Sequence, residues 1–328
     1  MDPLSQATLG AMGAQLKYSK KDLLKISIWG AIAGMAADLD ILIKSSSDPL
    51  LNIQYHRQFS HSLIFIPIGA LIVSLFLKLF KVPIKKSYPY TLLGYGTHGF
   101  LDAFTSYGTQ LWWPFSTKRE AWGCVSVIDP LVTAPLLILL CLGFKYKKRI
   151  FSVLGWTYFC FYMTYGYFQR TRVENLLVSK KLLDSSNERY IIKPTLGNNF
   201  IWRVIIERGE EFKFLGVRLG LLSKDKVVIG KSVKKVFDIE LLNLVNGNNL
   251  QVSDYKRFKF FTGNYLFWVD DNTIADARYS FLPHGDWPIW SLKFSRDSQD
   301  KHAEFIVDRK VTPKIKSALK NYWSGNNL

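Results

Sequence analysis

The sequence predicts an α-helical membrane bundle of about five spanning segments with a C-terminal β-rich soluble domain. Three observations lead there. Most long apolar runs lie before residue 170, most charges and short alternating runs lie after it, and lysine and arginine gather between the apolar runs. The expected divisions are a polar, lysine-rich segment at 1–26, a membrane domain at 27–170 and a soluble β-rich domain at 171–328.

The first apolar run, 27–43, is interrupted by Asp38 and Asp40, and its Gly30 and Gly34 form a small-xxx-small face on which a second helix can lie close. The run 62–80 is apolar nearly throughout and is followed by Lys81, Lys85 and Lys86. Residues 88–106 are rich in glycine and aromatics and carry His98 and Asp102, and the loop 107–127, with Trp112, Trp113 and Trp122, reads as an interfacial aromatic belt. The runs 128–144 and 150–168 complete the set, separated by Lys145, Lys147, Lys148 and Arg149. Beyond 171, strands are expected at 199–207, 211–217, 258–269 and 289–294, with turns at Asn246-Gly247-Asn248 and Gly263-Asn264 and helical pieces near 171–183 and 312–323.

A formal charge of +17 invites a nucleic-acid reading, but the cations flank apolar runs at 17–25, 81–86 and 145–149, as topology signals do. No nucleic-acid partner is expected. Cys124, Cys141 and Cys160 have neither disulfide-framework nor thiolate-zinc spacing, and 1–25 lacks the apolar core of a signal peptide. Gly94-x-Gly96-x-x-Gly99 matches a dinucleotide fingerprint only literally, since no strand precedes it; its glycines fit helix packing or room around His98. His284 reads as a turn residue and His302 as a surface residue.

The chemistry-bearing residues concentrate elsewhere. His56-Arg57-Gln58-Phe59-Ser60-His61-Ser62 sits at the mouth of a membrane-length run, where hydrocarbon does not solvate such side chains. His98 and Asp102, four apart, stack on one helical face, where both can hold a metal or Asp102 can orient the imidazole. Asp38 and Asp40 are about 200° apart on a regular helix, so they share a site only if the helix frays there. Asp129 precedes Pro130 at the start of the fourth run. Taken singly, each has a bland reading as a helix-start residue or an arginine partner. Successive spanning segments alternate direction, however, and that alternation puts every one of these acids and histidines at the same membrane face.

Imidazole and carboxylate ligands without thiolates suit a divalent ion, zinc first and manganese or iron after it. The expected ligands are His56, His61, His98, Asp102 and Asp129, joined by Asp38 or Asp40. The remaining carboxylate of that pair is the candidate general base, and Arg57 a group that neutralises developing negative charge, with Lys118 and Arg119 on the same face. The lysine and arginine clusters assign their loops to the cytoplasm, so the site and the C-terminal domain face the periplasm.

The order Asp38-x-Asp40, His56-Arg57-x-x-Ser60-His61-Ser62, His98-x-x-x-Asp102 resembles the LexA-binding, inner-membrane-associated, metal-dependent hydrolase family of bacteria, over roughly 30–145. The resemblance implies a multi-pass inner-membrane hydrolase without a settled substrate, and a LexA-type partner by family name alone. Its members also look distantly similar to zinc-dependent phospholipase C and related nucleases, which share a His-x-x-x-Asp helix. The function expected is therefore hydrolysis of a membrane lipid or phosphoester by metal-activated water. The alternative is a non-catalytic membrane regulator or scaffold whose polar cluster ties helices together.

Overall fold

A computed structural model describes residues 1–17, 19–220, 224–245, 248–295 and 301–324. They form two units. Met1–Ile43, Tyr55–Gln169 and Leu196–Asn199 make the first; Lys44–Gln54, Arg170–Thr195 and Phe200–Leu328 make the second. The division is thus not a single cut near 170.

The first unit is helical. Its elements are α1 (Pro3–Gln15), α2 (Leu23–Ala36) running into a 3-10 segment (Ala37–Leu42), short 3-10 turns at Phe59–His61 and Leu63–Phe65, then α4 (Ile66–Lys78), α5 (Ile84–Ala103), α6 (Pro130–Tyr146) and α7 (Ile150–Ser179) as far as Gln169; α3 (Leu51–Tyr55) belongs to the second unit except for Tyr55. Asp2 caps α1, its carboxylate accepting from Ser5 N (3.0 Å), and Pro3 begins the helix where a missing N–H costs nothing. Residues 1–26 read as a polar leader in sequence, yet α1 is mostly buried, and the lysines begin only at Lys17. Small residues explain the burial. A Cβ on Gly30 would lie 2.4 Å from the Gly10 carbonyl oxygen, and one on Gly94 would lie 2.4 Å from that of Gly30, so α1, α2 and α5 meet backbone to backbone.

The five expected spanning segments are not seen as five spanning helices. Among the described residues no single helix is long and apolar enough to cross a membrane; the bent pair Leu51–His61 and Leu63–Lys78, with 64° between its parts, passes by length and composition. Length is the reason for α2, whose 14 residues reach about 21 Å against a hydrocarbon core of about 30 Å. In α5 the reason is polarity, since Ser87, Thr91, Thr97, His98 and Asp102 are buried in the unit. The apolar surface is extensive nonetheless. Ile68, Leu71, Ile72, Leu75 and Phe76 on α4 are each 42–54% exposed, a contiguous patch of the kind that marks an interaction surface.

The second unit is built from two antiparallel four-stranded meanders. The first comprises β1 (Arg189–Pro194), β2 (Ile201–Arg208), β3 (Glu211–Arg218) and β4 (Lys226–Lys234). After α8 (Asp238–Leu244) and α9 (Asn249–Thr262) come β5 (Leu266–Asp270), β6 (Thr273–Asp276), β7 (Trp290–Lys293) and β8 (Glu304–Val307), then α10 (Pro313–Ser324). On β2, Trp202, Val204 and Ile206 pack in one apolar cluster, while Ile205 packs in another with Phe212, Phe214 and Phe267. The strand is therefore buried on both faces. The strand expected at 258–269 is helix over its first part and strand only over its last: Asn248 Oδ1 caps α9, Gly263 closes it with φ 61°, and from Leu266 the chain extends as β5. Tyr255, Phe258 and Phe261 are the cause, because they recur every three residues and bury one helical face. In the turn expected at Asn246-Gly247-Asn248, Asn246 and Gly247 lie outside the described residues.

Candidate metal centre

The site is assembled in the first unit from four stretches. Asp38 and Asp40 leave the end of α2 on the 3-10 segment. Tightening from about 100° to about 120° per residue brings i and i+2 from about 160° to about 120° apart, so both acids can face the same side. His61 ends the Phe59–His61 turn, and His98 and Asp102 lie one turn apart on α5. Gly99 lets α5 approach that turn, since a Cβ there would sit 2.3 Å from the His61 carbonyl oxygen.

Four side chains converge. His61 Nε2 and His98 Nε2 are 2.9 Å apart, and each is 3.4 Å from Asp38 Oδ1. Asp102 Oδ2 is 3.2 Å from His61 Nε2 and 3.6 Å from His98 Nε2. His61, His98 and Asp102 are fully buried and Asp38 is 22% exposed in its side chain, so the group has one open side. A tetrahedral zinc site with ligand distances of about 2.0–2.1 Å has edges of about 3.3–3.4 Å. The observed separations bracket that value, and the donor set fits a divalent ion.

The neighbouring hydrogen bonds aim these atoms. His98 Nδ1 donates to the Gly34 carbonyl (2.5 Å), which leaves the Nε2 lone pair facing the cluster. His61 Nδ1 lies 3.2 Å from Asp40 Oδ2 and 3.0 Å from Ser60 Oγ. Asp40 is therefore placed behind the imidazole, accepting from Ser60 Oγ (2.7 Å) and the Arg57 amide (3.0 Å) and holding His56 Nδ1 through its other oxygen (2.7 Å). Asp102 Oδ1 accepts from Gln6 Nε2 (3.0 Å) and the Met1 amino group, whereas buried Oδ2 points at the two imidazoles.

The electrostatics ask for positive charge. Three carboxylates, those of Asp38, Asp40 and Asp102, lie within 3.4 Å of the buried His61 ring, a surplus of negative charge that a bound cation offsets.

The other singled-out residues fall as follows. Asp38, Asp40 and His56 form a second group whose ligand atoms also lie within 4.8 Å of one another, with Asp38 common to both. Arg57, buried and in the left-handed region (φ 62°), directs Nε at Asp102 Oδ2 (3.0 Å), gives Nη1 to Thr105 Oγ1 (3.0 Å) and covers the Tyr107 ring. Its guanidinium is thus turned to Asp102. Asp129 is not part of either group: it caps α6 through Leu131 N (3.1 Å) and accepts from Tyr162 Oη (3.1 Å). Arg119 ties down backbone, donating to the carbonyls of Gly108 (3.0 Å) and His56 (3.1 Å), while Lys118 pairs with Glu120 (3.0 Å). In the second unit His284 meets the Tyr322 hydroxyl, and His302, half-buried, pairs with Asp254 (2.9 Å). Asp48 joins the latter two within ligand distance, but Arg257 already neutralises both acids (2.7 and 2.5 Å). Sequence reasoning missed Gln6, Gly34, Tyr95 and Thr105. Nothing in a polar-looking leader signals Gln6, although Ser60 at least lies inside the His-Arg-x-x-Ser-His motif.

Comparison with known proteins agrees with a membrane setting. No solved structure matches this chain. The uncharacterized protein YfhP of Bacillus subtilis (strain 168) is 27% identical over 183 residues, 54% of this chain and 54% of the relative, so the chain spans about half the length of the curated relative it matches. The family model described as YdjM inner membrane protein matches residues 1–173, which include every residue of the cluster. With more than half of its 328 residues matched, the chain belongs to the YdjM inner membrane protein family.

Proposed function

We propose that this inner-membrane family member is a metal-dependent hydrolase acting on a lipid or phosphoester substrate. One observation carries the reading. Two imidazole nitrogens and two carboxylate oxygens converge at 2.9–3.6 Å in a largely buried pocket.

His61, His98, Asp102 and Asp38 would hold the ion, zinc by donor type or else manganese or iron. When bound, such an ion lowers the pKa of water towards neutrality and polarises an ester or phosphoryl oxygen. The protein's own groups do the rest. Asp40 fixes the ring orientations of His61 and His56. His56 Nδ1 donates to Asp40 Oδ1, and this pair, which shares Asp38 as a near neighbour, is the candidate acceptor for a proton from an attacking water. Both Asp40 oxygens are engaged, which is why the acceptor is the Asp40–His56 pair rather than Asp40 alone. Arg57 holds Asp102 in place. We assign the apolar faces of α4, α6 and α7 to a multi-pass membrane arrangement with the site towards the periplasm, a reading that rests on the lysine clusters at 17–25, 81–86 and 145–149. Reporter fusions at residues 115 and 147 check that orientation.

The competing reading is a scaffold, and one observation favours it: Arg57 sits against Asp102, so the cluster partly neutralises itself. Metal content separates the two. The full chain purified in mild detergent should carry divalent metal, lose it to a chelator together with hydrolysis of a phospholipid panel, and regain both on zinc addition. Protein that neither contains nor binds zinc, manganese or iron would establish the scaffold.

A further inference from the structure

Beside the cluster runs a cavity of about 540 Å³ between the end of α2, the 3-10 segment and α4. Its walls are apolar, with Ile32, Met35, Ile72 and Phe76 prominent, and its polar contributions come from Asp40, Ser60 and Tyr95. Asp40 and Ser60 are hydrogen-bonded to each other and belong at the same time to the cluster, since both contact His61. The polar end of the cavity is therefore formed by the two residues that contact the Nδ1 side of His61, one of the cluster's imidazoles.

The floor is built for it. A Cβ on Gly69 would lie 2.2 Å from the Tyr95 ring, so only glycine lets α4 close on that ring, and the Tyr95 hydroxyl donates to the Ser60 carbonyl (2.8 Å). The same tyrosine thus lines the cavity and pins the turn that carries His61. At the outer side Met35, Ile72 and Phe76 are 37%, 54% and 49% exposed, an opening edged with hydrocarbon.

We infer that this cavity holds an acyl chain of a membrane lipid, placing the lipid's ester or phosphoester end at Asp40 and Ser60, beside His61. The inference rests on the hydrolase reading and narrows it to a substrate with a hydrocarbon tail. A peptide is disfavoured because its N–H and C=O groups need partners along their whole length, and apolar walls with polar atoms at one end supply none. A hydrocarbon chain needs no such partners. The volume is within the range of about 300–1,000 Å³ usual for small-ligand sites.

The test uses the full chain in mild detergent and phosphatidylglycerol carrying a diazirine on its acyl chain. Saturable photolabelling at Met35, Ile72 or Phe76, competed by unlabelled phosphatidylglycerol, is expected. Ile72→Trp and Met35→Trp, which fill the cavity from half-exposed positions, should each cut that labelling about tenfold while leaving zinc content and gel-filtration profile unchanged. Labelling that does not saturate, or that spreads equally over Ile138, Phe161 and Phe168 on other helices, overturns the inference. A second arm measures hydrolysis of phosphodiesters with tails of increasing length. Each methylene buried should raise kcat/KM about fourfold until the cavity is full. A zinc-dependent activity indifferent to chain length overturns the acyl site and leaves the hydrolase reading intact. Saturable labelling in a protein that binds no metal upholds the acyl site and removes the hydrolase.

Discussion

Asp102 and Asp40 both touch His61, yet the geometry gives them different work, and replacing each by Asn separates the two. Asp102 Oδ2 is directed at His61 Nε2 and His98 Nε2 (3.2 and 3.6 Å), with Arg57 Nε at 3.0 Å on the same oxygen. Asp40 contacts the opposite nitrogen of the His61 ring (3.2 Å) and has both oxygens occupied. Asp40→Asn should therefore retain the ion with affinity reduced about 10–100-fold, or about 1.4–2.7 kcal/mol. Asp102→Asn should lose measurable binding and also destabilise the fold, because the Arg57 guanidinium, 4% exposed in its side chain, would be left without its carboxylate. Loss of one partner of a buried ion pair costs about 3–5 kcal/mol. Chelator-stripped protein titrated with zinc against a chromophoric chelator gives the affinities, and elemental analysis gives the stoichiometry. If Asp102→Asn keeps its zinc while Asp40→Asn loses it, the assignment of ligand and orienting carboxylate is reversed and the tetrahedral reading is wrong.

Further outcomes follow from other contacts. Arg57→Met should lower the melting temperature by removing the cation beside buried Asp102, again at a cost of about 3–5 kcal/mol; no shift in a detergent melting curve would mean that Asp102 is neutralised otherwise. Gly94→Ala should cost about 1–3 kcal/mol or more, since its Cβ meets Gly30 backbone at 2.4 Å. Gly96→Ala on the same helix, with its nearest neighbour at 3.8 Å, should instead be neutral or gain about 0.5–1 kcal/mol. In the second unit burial, helped by Arg203 and Arg278, holds the Lys193 amine well below its usual value of 10.5. The unfolded chain then binds more protons than the folded one in the window up to 10.5, so stability should rise with pH there. Lys193→Met should flatten that rise in melting temperatures measured across the alkaline range; a parent protein that loses stability over the same window would contradict the burial argument.

Much of the site was legible from spacing. His98 and Asp102 share a face because four residues make about one helical turn, and His56 and His61 stood out because polar side chains at the mouth of an apolar run demand partners. The short β-branched and aromatic runs of β2 and β3, bounded by Asn and Gly, likewise announced strands. Where spacing misled, a longer-range contact had intervened. Residues 1–26 looked like a polar, lysine-rich segment, but glycines at 10, 30 and 94 let α1 sink against α2 and α5, and that contact delivers Gln6 to Asp102. The aromatics of α9 served strand and helix equally well as a list, and only burial of Tyr255, Phe258 and Phe261 on one face decides for helix. The sequence by itself named most of the imidazole and carboxylate groups that the structure brings together, because side-chain chemistry is local. Tertiary structure alone decided that His61 and His98, 37 positions apart, turn the same nitrogen to one point, and that Asp40 stands behind the ring while Asp38 stands in front. Those orientations depend on where α2 unwinds into a 3-10 segment and on which carbonyl meets each imidazole, neither of which a residue's own neighbours specify.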